Sequence, residues 1–302
     1  MKKSSRIKLV LLIGAVLLLG VFAVLVIGLA RYVMKGRRQT LSQAIKWQSE
    51  HYDLSFYEPL AKTDYTVNSF DGYELHACLL KNPVPTDKYI IISHGHTDNR
   101  YGSLKYVKMY LDLGFNCVIY DLRGHGENER VCCTYGIREG QDIAELVKDT
   151  RRRYPNISRL GLHGESLGAA STAAAMKYSP EVDFAVADCG FADIDNVLRG
   201  AASSGGLPSF CVDLANLGAT LIYGFSFGDM RPIDSLEGCR VPFLFIHGSA
   251  DTFILPENSY RMSERLAGFS EVRLIKDAPH AASVLTDPVT YKRYVQDFLE
   301  CL

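Results

Sequence analysis

One serine in this chain is singled out by its neighbours. In Gly164-Glu165-Ser166-Leu167-Gly168, glycine stands two residues to either side of Ser166. The run from Arg159 to His163 before it predicts a short buried strand, and the alanines at 169, 170, 173, 174 and 175 predict a tightly packed helix after it. A serine on so sharp a strand-to-helix turn is a nucleophile elbow, in which the glycines give room to a strained backbone and the hydroxyl is lifted clear of the sheet. The first N–H groups of the following helix, that of Leu167 foremost, can then stabilise an oxyanion. A glycine-rich turn with a helix-capping serine is the other reading of these five residues. What separates the two is whether a carboxylate and an imidazole follow in the right order.

They do follow. Asp251 closes the run His247-Gly248-Ser249-Ala250-Asp251, just after the apolar strand Phe243 to Ile246, and His280 closes Asp277-Ala278-Pro279-His280 after the last strand. Loops at the carboxyl edge of a parallel sheet bring such residues together. The chemistry asks for a base in reach of Ser166, namely His280, and for a carboxylate that fixes its tautomer and stabilises the imidazolium, namely Asp251. Asp188, at the end of the strand Phe184 to Ala187, is the rival acid, while Asp277 suits a turn cap. A second oxyanion donor is expected from His94-Gly95-His96-Thr97-Asp98-Asn99-Arg100, after the strand Tyr89 to Ser93: the N–H of His96 first, that of Thr97 second. A metal held by His94, His96 and His125 is the alternative use of that loop. With no Cys or Glu partner at ligand spacing, no metal and no cofactor is assigned.

These residues need a scaffold, and the pattern supplies one. From Lys88 onward apolar strands alternate with helical segments (Leu104 to Leu113, Gln141 to Arg153, Pro256 to Leu266, Pro288 to Leu299). That alternation predicts an α/β fold with a mostly parallel sheet covered on both faces. Asp64 to Asn68, Asp71-Gly72 and Tyr73 to Leu80 predict a hairpin adding antiparallel strands at one edge. Residues 190–238 break the rhythm as a helical insertion too apolar for a surface loop, and a lid over the site is its functional reading beside plain extra packing. If the lid forms an acyl pocket, specificity rises with acyl chain length and the gain shrinks when Phe210 or Leu214 becomes Ala.

At 302 residues and 47% hydrophobic content the chain can bury a large core, and its formal net charge of −1 gives no reason to expect a nucleic-acid partner. The first residues differ in kind: Lys2, Lys3, Arg6 and Lys8 precede a run from Leu9 to Ala30 without a charge, long enough to cross a bilayer as a helix. Basic residues (Arg31, Lys35, Arg37, Arg38) follow at once, which favours an uncleaved single-pass anchor over a signal peptide. Four basic side chains on each flank leave the orientation tied, and export of the globular part is favoured slightly as the commoner arrangement. The eight cysteines lack metal-ligand spacing and read as buried free thiols, suiting a reducing compartment or an anaerobic exterior. The expected organisation is an anchor over 1–36, a juxtamembrane linker over 37–52 that lies on the membrane or packs on the domain, and the catalytic domain over 53–302. A chain beginning near Arg37 is then expected to be soluble and active.

Taken together, His94-Gly95, Asp121-Leu122-Arg123-Gly124-His125-Gly126, the elbow at Ser166, Asp251 and His280 resemble the α/β-hydrolase family over roughly Tyr65 to Leu299. The resemblance is to bacterial membrane-anchored members of the serine aminopeptidase and Bem46-like groups. It implies an α/β-hydrolase fold and a serine hydrolase acting on an ester or related acyl bond, with a peptidase or an acyltransferase as alternatives and a non-catalytic binding protein less favoured. Glu127 and Asn128 stand where that family often carries serine. Arg123 and Asp121 read as residues holding loops beside the site. A peptidase would need an acid for the substrate ammonium, for which Glu165 or Asp213 are candidates.

Overall fold

The computed structural model describes residues 2–302, with side chains from residue 6 onward; Met1 of the expected anchor lies outside the described residues. Ten helices and eight strands alternate along the described chain. Helices α1 (Lys2–Lys35) and α2 (Leu41–His51) precede the hairpin β1 (Lys62–Asn68) and β2 (Glu74–Leu80). Then come β3 (Lys88–Ser93), α3 (Leu104–Asp112), β4 (Asn116–Tyr120), α4 (Ile137–Arg153), β5 (Arg159–Glu165), α5 (Leu167–Ala175) and β6 (Phe184–Asp188). The insertion supplies α6 (Ile194–Ser204) and α7 (Phe210–Tyr223), and the chain closes with β7 (Phe243–Gly248), α8 (Glu257–Arg265), β8 (Ser270–Ile275), α9 (Ser283–Thr286) and α10 (Pro288–Glu300).

The strands form one sheet in the order β1-β2-β4-β3-β5-β6-β7-β8, antiparallel at the β1-β2 and β2-β4 pairs and parallel from β4 to β8. Alternate side chains serve opposite faces. Ile91, Val118, Leu162, Ala185 and Phe245 join α4 and α5 in one core; Ile90, Ile92, Ile119, Val186 and Leu244 join α3 and α10 in the other. Burial on both faces is why these strands read as unbroken apolar runs. The fold is therefore an α/β-hydrolase sheet with helices around it, led by the expected hairpin with Gly72 at φ 79° in its turn. Helix α4 starts four residues before the expected Gln141. Its first turn is polar, and it is set by buried Glu139, which accepts from the N–H groups of Thr134 and Gly136 (2.8 and 3.0 Å).

The N-terminal helix departs from the picture of an appendage. From Ile7 to Leu25 its large apolar side chains are exposed, but Val26, Ala30 and Met34 are buried. Its last turns lie along α7, where Gly218 lets the helices meet: a Cβ there would stand 2.6 Å from both the Ala30 Cβ and the Val26 carbonyl. The Val33 carbonyl accepts from the Tyr135 hydroxyl (2.6 Å), and the Met34 carbonyl from the Cys133 N–H (2.8 Å). Beyond it, Gln39 N–H bonds the Thr97 carbonyl (2.8 Å), and α2 buries Ala44 and Gln48 under a Thr40/Gln43 capping box.

These contacts give a physical reason to expect that a chain starting near Arg37 is less stable and less active than the full chain. Loss of the Met34 contact alone is worth about 2–5 kcal/mol for a buried large-to-small change. A chain lacking residues 1–36 should melt at least roughly 5 °C below the full chain in the same detergent. It should also lose most of its ester turnover. Equal melting temperatures and equal rates would show that α1 is dispensable to the fold.

Candidate active site

Ser166 sits between β5 and α5 at φ 52°, ψ −112°, a region that side-chain-bearing residues avoid. Its N–H bonds the Asp188 carbonyl at the end of β6 (2.8 Å), which ties the turn to the neighbouring strand. The flanking glycines are required by close approach: a Cβ on Gly164 would run into the Gly168 carbonyl, and one on Gly168 into the Ser93 carbonyl at the end of β3.

The structure brings Ser166, His280 and Asp251 together. Ser166 Oγ lies 3.0 Å from His280 Nε2, and His280 Nδ1 lies 2.7 Å from Asp251 Oδ2. A carboxylate can only accept, so Nδ1 carries the proton and Nε2 is left to accept from the serine hydroxyl. Asp251 also accepts from the N–H groups of Phe253 and Ile254 (3.0 and 2.9 Å), and His247 Nε2 stands 3.2 Å from its Oδ2. Although burial opposes ionisation, bonds from His247 and His280 and the backbone hold its pKa well below the usual carboxylate range. The stability this contributes is present above about pH 4 and is lost as acid titrates the group toward its lowered value.

His247 was not among the residues picked out for a role. Its ring is held at Nδ1 by Ser259 Oγ and at Nε2 by the Ile254 carbonyl, both at 2.7 Å. The available signal was its place four residues before Asp251 on a strand end. The rival acids lie elsewhere. Asp188 is buried, accepts from Tyr106 (3.0 Å) and Ser283 (3.2 Å), and is raised to about 6 by burial; Asp277 is a turn residue at φ 58°.

The loop after β3 runs beside the elbow because Ser93 pairs with Gly164 in register. Leu167 and His96 both line the cavity with Ser166, and among the described residues the N–H of neither has an acceptor. Burial lowers His94 to about 3 and His96 to about 4, so both rings are neutral near pH 7. They pack edge-on to His125, with centroids 5.2 and 6.0 Å away. His94 Nε2 accepts from the Leu122 N–H (2.9 Å) and its Nδ1 meets the Gly95 carbonyl (2.7 Å), so both nitrogens serve the loop. Arg100 joins the two loops, bonding Asp121 (2.5 Å) and Glu127 (2.6 Å), which gives Glu127 its use. Arg123 spans Asp71 and Asp142 at 2.8 and 2.6 Å. The grouping of potential metal-ligand atoms found among the described residues, Cys189 with Asp251 and His280, shares the two groups already paired with each other.

Ser166 opens on a cavity of about 560 Å³, a usual size for a small-molecule site. Phe191, Ile194, Val197 and Leu198 form an apolar wall, and Tyr32 and Val33 of α1 form another part of it. Neither contribution of α1 was expected. The insertion lines the site through α6, not through the expected Phe210 and Leu214: Phe210 is exposed and Leu214 lies outside the lining. The acids considered for a substrate ammonium are engaged. Glu165 is paired with buried Lys105 and accepts from Tyr106 (2.5 Å), and Asp213 is exposed and paired with Arg199 (2.8 Å).

Asp251→Asn should lower kcat by about 10³–10⁴, since the amide leaves the imidazole in the wrong tautomer. Asp188→Asn, which touches neither His280 nor Ser166 through its side chain, should stay within about tenfold of wild type. A larger loss in the Asp188 variant would transfer the orienting role to that residue.

Comparison with known proteins bears on the fold and the family. Residues 84–205 match the serine aminopeptidase S33 hydrolase family. The uncharacterized protein YqkD of Bacillus subtilis is 31% identical over 301 residues, 97% of each chain. Among solved structures, the esterase Pf2001 of Pyrococcus furiosus is 25% identical with a TM-score of 0.64, the match covering 80% of this chain and 92% of that one. An esterase of Thermogutta terrifontis shares the fold at 17% identity and a TM-score of 0.56, covering 79% and 98% of the two chains. With an eight-stranded sheet of this order and a serine on its elbow, the chain belongs to the α/β-hydrolase family and is an esterase-like serine hydrolase.

Proposed function

We propose that Ser166, His280 and Asp251 form a catalytic triad that hydrolyses a carboxylic ester through an acyl-enzyme. The observation that carries this is the unbroken hydroxyl–imidazole–carboxylate series, with links of 3.0 and 2.7 Å, beside a cavity with an apolar wall. Ser166 Oγ attacks the carbonyl carbon as its proton passes to His280 Nε2, and Asp251 stabilises the imidazolium. The oxyanion meets the N–H groups of Leu167 and His96. Collapse expels the alcohol, which leaves with the proton from Nε2; water then attacks the acyl-enzyme by the same route in reverse and releases the acid.

An ester is favoured over a peptide with a free amino terminus by the state of the acids. Glu165 is neutralised by Lys105, Asp213 lies outside the cavity lining, and Asp98, which does line it, is raised to about 6 by burial. Neither Glu165 nor Asp213 offers an unopposed carboxylate to a substrate ammonium, and burial makes Asp98 ionise less readily than an ordinary carboxylate. An acyltransferase would differ only in the nucleophile that displaces the enzyme. We also read α1 as a retained single-pass membrane anchor: the residues closing its apolar run are wedged into the core, where a signal peptide would be discarded.

Ser166→Ala and His280→Ala should each remove nearly all hydrolysis of p-nitrophenyl butyrate, and the double variant should be no worse than either alone. In the wild type, kcat/KM should rise from acetate toward hexanoate by up to about three- to fourfold per methylene, as about 0.8 kcal/mol per buried CH₂ permits. Val197→Ala and Leu198→Ala should flatten that slope. A flat chain-length profile would remove the acyl pocket from this reading, and a preference for aminoacyl amides over every ester would replace it with the peptidase one.

A further inference from the structure

Helix α7 carries an apolar stripe for which the fold provides no cover. Phe210, Leu217 and Leu221 recur at helical spacing on one side, half-buried Leu214 lies between them, and Ile222 and the preceding Leu207 extend the patch; all but Leu214 are exposed. Leu221 is 73% exposed. Helix α7 is held against α1 through buried Gly218, at the level of Val26 and Ala30.

That level has a physical meaning if α1 spans a bilayer. From Ile7 to Ile27 its large apolar side chains are exposed except for Val26, which meets α7. At 1.5 Å per residue this stretch covers about 30 Å, the thickness of the hydrocarbon core. Val26 and Ala30 therefore stand where the helix leaves the hydrocarbon, and α7 lies beside them at the boundary. Arg31, Lys35 and Arg37, all exposed, follow within the next turns, at the depth of the lipid headgroups. Tyr32, five residues past Ile27 or about 7.5 Å along the axis, already lines the cavity that holds Ser166. The headgroup zone is itself roughly 5–8 Å deep on each side. Phe253 and Leu285, both exposed, add apolar surface to the same cavity.

We propose that α7 and the end of α1 form one surface seated in the bilayer, and that the substrate is a membrane-resident acyl ester drawn from the adjoining leaflet into the Ser166 cavity. This rests on the hydrolase reading above and names its substrate class. Continuity of the α7 stripe with the exposed face of α1, and the basic residues at headgroup depth, select the lipid surface over a protein partner. The reaction consumes the ester and one water and yields a fatty acid and the free alcohol.

The test uses the full chain in vesicles of phosphatidylcholine and phosphatidylglycerol, with 4-methylumbelliferyl oleate in the bilayer and p-nitrophenyl butyrate in solution. In the double variant Leu221→Glu/Ile222→Glu, which keeps α1, soluble-ester kcat/KM should stay within about twofold of wild type. Hydrolysis of the bilayer ester should fall about tenfold or more, because charge is placed on a surface that must lie in lipid. Unchanged hydrolysis of both esters, with both still requiring Ser166, would overturn this proposal alone. A change of oligomeric state in detergent with unchanged bilayer hydrolysis would overturn it in favour of a second copy of the chain covering α7. Failure of Ser166→Ala to affect soluble-ester turnover would overturn the hydrolase reading and this proposal with it.

Discussion

The site depends on a serine held in a backbone conformation that an unconstrained chain would leave. A residue in such a region costs on the order of 1–3 kcal/mol. The cost is offset by neighbours that leave Ser166 no other place. Its N–H is bound by the Asp188 carbonyl, and α5 is pressed so close to the ends of β3 and β5 that Gly164 and Gly168 have no room for a side chain. Ala169, Ala170 and Ala173 are buried, and their small size lets α5 approach the sheet. The rest of the site's geometry follows from the sheet, because parallel strands β5 and β7 deliver Ser166 and the Asp251 loop to one edge, with the Asp188 carbonyl of β6 between them.

Much of this was legible because it is written in local pattern. Unbroken apolar runs located β3 to β7, since a strand covered on both faces has no polar side to show. The two glycines around Ser166 and the order of Asp251 and His280 required no distant contact to be noticed. What escaped notice depends on pairings across the fold. Nothing near Glu165 announces that Lys105 neutralises it, 60 residues away. His247 looks like any strand-end histidine until its ring is found beside Asp251. Two apolar helices in one insertion gave no sign of which faces the cavity, and it is α6 that does so while α7 packs against α1.

The N-terminal helix shows the same limit in sharper form. A long uncharged run reads identically whether the helix trails away from the domain or is built into it. Only the structure shows Met34 in the core and Gly218 receiving the helix. The segment that follows is a strap over the loop beside Ser166. Gln39 bonds Thr97, Asn99 Nδ2 donates to the Thr40 carbonyl (3.2 Å), and Gly36 lies against the His96 ring. The placement of the His96 loop beside Ser166 is thus coupled to how α1 enters the domain.

The most direct test of the account is covalent capture of the nucleophile in the intact chain. Labelling with a fluorophosphonate, followed by digestion and mass spectrometry, should place a single phosphonyl adduct on the peptide that contains Ser166. Labelling should be lost in Ser166→Ala and strongly slowed in His280→Ala, because the hydroxyl is a weak nucleophile without its base. An adduct on any other residue, or labelling of Ser166 at an undiminished rate without His280, would contradict it.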